Sequence, residues 1–92
     1  MLRKDYDSFK IDLAKNPASG DLIIGTGGIR KTRLKSSSKG KSGGFRVCYL
    51  DVPQTEELFL ILIYPKNERE DLAPEEKKIL KELVKQLKGN KK

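Results

Sequence analysis

Seven cations, Arg30, Lys31, Arg33, Lys35, Lys39, Lys41 and Arg46, fall between positions 30 and 46 with no acid among them, spaced by Gly40, Gly43 and Gly44. Lysine and arginine neutralise phosphate charge and glycine lets backbone approach a ligand closely, so the segment carries the electrostatic footprint of a nucleic-acid binder. Cutting RNA without a metal asks for more: the 2′-hydroxyl deprotonated, the in-line phosphorane stabilised and the 5′-oxygen protonated as it leaves. The chain contains no histidine, the usual proton shuttle. Proton transfer would therefore fall to lysine, tyrosine, a carboxylate or a group supplied from outside. A lysine crowded by other cations has its charged form disfavoured, which makes Lys31, Lys41 or Lys66 a base of lowered pKa. Arg33 and Arg46 stay charged and can hold phosphate oxygens bidentately.

Other motifs are weaker. Gly40-Lys41-Ser42 is not a phosphate loop, because Lys35 stands where that loop needs glycine. Gly25-Thr26-Gly27-Gly28, with no βαβ unit around it, reads as a tight turn into the next strand. Cys48 is the only cysteine, so neither an intramolecular disulfide nor a zinc site is available, and its place in an alternating strand predicts a core position. Twenty Lys and Arg against 13 Asp and Glu give a net charge of +7, which favours polyanionic partners. No apolar run approaches the roughly 20 residues that span a bilayer and no signal segment opens the chain, so a cytoplasmic protein with no membrane partner is expected.

The elements that must position these residues are brief. Ninety-two residues allow one domain, 1–92, with 88–92 as a frayed tail. Leu2, Tyr6, Phe9 and Leu13 share a helix face that ends at Asn16-Pro17. Leu22-Ile23-Ile24 is a short apolar segment, Arg30–Leu34 a short strand, and Phe45–Leu50 and Leu58–Tyr64 are strands of an antiparallel hairpin joined through Pro53. Pro74, Glu75, Glu76 and Gly89 delimit a last helix with Ile79, Leu80, Leu83, Val84 and Leu87 as its apolar stripe. Ala73 is its poor N-cap, and Lys77, Lys78, Lys81 and Lys85 form a solvated face. The class is α+β, a small antiparallel sheet packed with helices.

Three linked segments, Gly25-Thr26-Gly27-Gly28-Ile29-Arg30-Lys31-Thr32-Arg33, Gly40-Lys41-Ser42-Gly43-Gly44-Phe45-Arg46-Val47 and Ile63-Tyr64-Pro65-Lys66-Asn67-Glu68, occur in an order that resembles the RelE/ParE superfamily, most of all its HigB-like RelE toxins. The resemblance runs from about Asn16 to Lys88. It implies a microbial-RNase-like fold with helices on one side of a curved sheet, and a ribosome-dependent mRNA interferase that cuts the A-site codon with no metal or organic cofactor. It also implies a cognate antitoxin, often helix-turn-helix and HigA-like in this branch.

Carried over residue by residue, the resemblance makes Arg46 the catalytic arginine and Lys31 and Arg33 phosphate contacts with one of them a possible base. Tyr64 and Lys66 become stacking or proton-transfer groups. The other cations of the strip, Arg30, Lys35, Lys39 and Lys41, are expected as further RNA contacts on the strength of their charge. Relatives place an arginine after the equivalent of Lys66 and a tyrosine ahead of the last helix, which Asn67 and residues 71–75 do not provide, so no general acid is assigned. Relatives also begin with a further strand and helix, and Ala73 and Pro65 replace a serine and a small residue. An N-terminal strand is thus expected to be missing, leaving a sheet edge open to self-association. Two other readings follow: a shortened, weak or inactive toxin that only binds antitoxin or RNA, and a ParE-like gyrase poison, against which Lys31, Arg33 and Arg46 argue.

Overall fold

The computed structural model describes residues 3–34, 44–66, 68 and 71–89. Leu2, Lys35, Lys39, Lys41 and Asn67 lie outside them. The elements run α1 (Arg3–Lys15), β1 (Asp21–Leu22), β2 (Arg30–Leu34), β3 (Phe45–Val52), a 3₁₀ turn (Pro53–Thr55), β4 (Glu57–Pro65) and α2 (Pro74–Gly89). The four strands form one antiparallel sheet in the order β1-β2-β3-β4. This is the α+β architecture expected. Among the described residues nothing pairs with the outer edge of β4.

Alternation along β3 decides how the helices pack. Cys48, Leu50 and Val52 point to one face, where they join Ile29, Tyr64, Leu72 and Val84 of α2 in the main core. Cys48 is fully buried there, as its strand position predicted. Val47 and Tyr49 point to the other face, the side of α1, whose Tyr6 meets Val47, Leu60 and Ile63 across an apolar groove. The helices therefore cover opposite faces, which corrects the expectation of helices on one side. A chain whose β4 reads Leu58-Phe59-Leu60-Ile61-Leu62-Ile63-Tyr64, apolar at every position, needs cover on both faces.

Register on β3 and β4 slips once. Cys48 faces Leu62 while Tyr49 faces Leu60, so Ile61 is the extra residue of a β-bulge. The bulge bends the strand and lets both flanks keep their apolar partners.

Local chemistry explains the termini. Proline at 17 stops α1 at Lys15, and Pro74 opens α2. Ala73 has no capping side chain, but Glu76 reaches back to accept from its backbone N–H at 2.8 Å, which supplies half of a capping box. Two expectations for α2 need correction. Ile79 is 67% exposed and stands outside the stripe formed by Leu80, Leu83, Val84 and Leu87, about 100° around the helix from Leu80. Lys88 and Gly89 belong to the helix rather than to a frayed tail, and the Lys88 ammonium lies 3.5 Å from the Gly27 carbonyl.

The Gly25–Gly28 turn is built as such. The Thr26 hydroxyl, fully buried, donates to the Ile23 carbonyl at 2.7 Å and accepts from the Ile29 N–H at 3.1 Å. Gly25, Gly27 and Gly28 all have positive φ, and a Cβ on Gly27 would touch Val84 of α2 at 3.6 Å. The glycines thus let the β1–β2 connection lie directly under α2.

Candidate active site

Register brings the expected residues into a row. Arg33 of β2 stands opposite Arg46 of β3, and Arg46 stands opposite Tyr64 of β4. Lys31, two residues before Arg33 along β2, shares their face. This is the face of the main core, to which Tyr64 of the row belongs. Two guanidinium groups directly opposed across a ladder repel, at a cost of about 0.2–1 kcal/mol, which a bound anion would offset. Phe45, Gly44 and the Lys66 N–H donating to the Gly44 carbonyl at 3.2 Å close this end of the β3–β4 pair.

A pocket of about 340 Å³ opens beside the row, lined by Ser19, Gly20, Asp21, Lys31, Arg33 and Arg46 among others. Its wall, the turn from Pro17 to Asp21, is fixed by a residue read from sequence only as part of a strand. The Tyr49 hydroxyl donates to the Pro17 carbonyl at 2.7 Å and accepts from the Gly20 N–H at 2.9 Å. Gly20 cannot carry a side chain there, because a Cβ would sit 2.8 Å from that hydroxyl oxygen and 2.9 Å from the Lys31 carbonyl. Asp21 pairs with Lys31 in the β1–β2 ladder and brings a carboxylate to the pocket.

Lys31 is not a lysine of lowered pKa. Its ammonium donates to Asp71 at 2.7 Å, and that hydrogen bond holds its pKa above the ordinary lysine value, against burial and the Arg46 charge. The same contact holds Asp71 below the ordinary carboxylate value. The expectation of a base made by crowding counted the cations close in sequence, while the nearest charge in space is an acid 40 residues away. No spacing signal pointed to Asp71.

The other expected residues divide. Arg30 alternates away from Lys31 and Arg33, and its guanidinium donates to the carbonyls of Ala18 at 3.3 Å and Gly20 at 2.7 Å, bracing the same turn from the opposite face. Tyr64 is 4% exposed and its ring belongs to the core. Lys66 is half-buried just past the end of β4. Lys35, Lys39 and Lys41 lie outside the described residues.

Arg33, Arg46 and Lys31 thus share one face of a small antiparallel sheet beside this pocket, in an α+β domain of net charge +7. No helix among the described residues is long and apolar enough to cross a membrane. A family model described as the RelE toxin of the RelE/RelB toxin–antitoxin system matches residues 12–92. The chain belongs to the RelE family, toxins of toxin–antitoxin systems that are generally endoribonucleases and have an antitoxin as partner.

Proposed function

We propose that this chain is a ribosome-dependent mRNA interferase of the HigB-like branch, acting in the cytoplasm on the A-site codon and silenced by a helix-turn-helix, HigA-like antitoxin. The observation that carries the reading is the Arg33–Arg46 pair opposed on the open sheet face with Lys31 beside it. Two neighbouring guanidinium groups would match the oxygens of a phosphorane and stabilise charge that develops only in the transition state. Lys31, held protonated by Asp71, suits the role of phosphate contact or proton donor to the leaving oxygen better than that of base. Removal of the 2′-hydroxyl proton then falls to Lys66, the Asp21 carboxylate or a ribosomal group. Lys35, Lys39 and Lys41 would extend the RNA path, and an acidic antitoxin segment would neutralise the toxin by covering the arginines.

Cleavage of programmed messages on purified ribosomes tests this. Arg46→Ala should lower the codon-specific rate on the order of 100-fold or more while thermal unfolding stays that of a folded domain. Unchanged cleavage by the folded variant would overturn the role of Arg46. Absence of cleavage by the parent chain, with inhibition of DNA supercoiling, would favour the gyrase reading instead. The outer edge of β4, unpaired among the described residues, supports self-association of the isolated chain, which light scattering would refute by finding a monodisperse monomer at high concentration.

A further inference from the structure

Resting on the phosphate-binding reading of the sheet face, we propose that the Asp71 carboxylate is a built-in stand-in for phosphate on Lys31, a gate that RNA must displace to reach the pocket. The separation of 2.7 Å between the Lys31 ammonium and Asp71 Oδ1 is that at which an ammonium takes a phosphate oxygen. Lys31 is anchored in β2 between two neighbouring strands, with its side chain 25% exposed. Asp71 belongs to the irregular stretch ahead of Pro74, with its side chain 72% exposed. The carboxylate thus meets the lysine from the solvent side, the direction from which a ligand comes.

A strut would be built differently. An ion pair this open contributes little net stability, so it restrains the fold weakly and yields readily to a competing anion. The charges around it favour exchange as well. Arg46 and, on α2, Lys77 act on Asp71, while Arg46, Tyr64 and Asp71 act on Lys31, so a phosphate that takes the lysine enters a field still positive without Asp71. The gate subtracts one cation from the free surface, and it discriminates in favour of ligands that carry a phosphate where the carboxylate sits.

Fluorescence anisotropy of a single-stranded RNA oligonucleotide with the full chain, at several salt concentrations, tests the gate without requiring cleavage. Asp71→Asn should bind about two- to fivefold more tightly, the factor expected for releasing one exposed ion pair. In a Lys31→Met background the same change should bring a clearly smaller gain, the part left by removing the Asp71 charge near Arg46 and Lys77. A gain that persists undiminished with Lys31→Met would show a general charge effect and overturn the gate. Equal binding by the parent and Asp71→Asn, with weaker binding by Lys31→Met, would overturn the gate and leave the phosphate face standing. If Lys31→Met and Arg46→Ala both bind like the parent, the phosphate face falls and the gate with it. Melting curves on every variant separate binding effects from loss of fold.

Discussion

Replacing Tyr49 by phenylalanine removes one oxygen and two hydrogen bonds, and its consequence can be worked out from the buried groups left behind. The hydroxyl serves the Gly20 N–H at 2.9 Å and the Pro17 carbonyl at 2.7 Å, and the tyrosine itself is fully buried. Pro17 is half-buried, so water can replace the bond to its carbonyl. Gly20 is buried against the ring, and its N–H has no such access. A buried donor left unsatisfied costs about 1–3 kcal/mol, and that single group sets the scale of the change. For a domain of this size each kcal/mol shifts the melting temperature by about 4–8 °C, so Tyr49→Phe should melt roughly 5–20 °C lower. Circular dichroism melting measures this directly. Because the released turn carries Ser19, Gly20 and Asp21 into the pocket, oligonucleotide binding should weaken at temperatures where the variant is still folded. A variant that melts with the parent would refute the claim that this hydroxyl holds the turn.

Arg33→Thr should stabilise the sheet by about 0.2–1 kcal/mol, because it removes like charge opposite Arg46, and should flatten the logarithmic salt slope of RNA binding by about 0.7; melting curves and titrations read the two effects in opposite directions. Ala73→Ser supplies the missing half of the capping box opposite Glu76 and should raise stability by about 0.5–2 kcal/mol in denaturant titrations. Lys31, whose pKa is raised in the fold, gives stability that is whole below the ordinary lysine pKa and lost as pH rises through the folded value. Asp71, whose pKa is lowered, gives stability that is whole above the ordinary carboxylate pKa and lost as pH falls through the folded value. The stability difference between the parent and Asp71→Asn should therefore be flat from about pH 5 to pH 10 and change only outside that window. The Lys31 side-chain resonance should titrate at lower pH in the variant.

Where an element was legible in the sequence, a local rule wrote it. Asn16-Pro17 ends α1, Pro74 opens α2, and apolar runs around Pro53 mark β3 and β4, because termini and turns depend on residues within a few positions of each other. The row of Arg33, Arg46 and Tyr64 could be anticipated only through the family resemblance, since register is a property of paired strands. Relations across the sheet were not legible at all. Asp71 reverses the expected direction of the Lys31 pKa from 40 residues away, and the Tyr49 hydroxyl reaches back 32 residues to Pro17. Alternation would have separated Arg30 from Lys31, but counting both as one cationic strip hid it. Ile79 satisfied the helical period loosely, and nothing in the period says how wide a stripe the core will accept.

The bulge at Ile61 gives β4 nine residues against the eight of β3, and this mismatch in length has a consequence for how the chain can change. Deleting Ile61 would leave a plain ladder of eight against eight, in which Phe59, Leu62 and Tyr64 still face the α2 side and Leu60 and Ile63 still face α1. Deleting a residue between the bulge and Tyr64 instead would leave the bulge free to close by sliding, so a range of single-residue losses converges on one straightened strand. What such a deletion alters is the bend, and with it the angle at which the last residues of β4 approach Arg46. The strand therefore tolerates a frameshift of one residue in its packing while its aim at the arginine row changes, so the surplus residue tunes geometry at a site it does not touch.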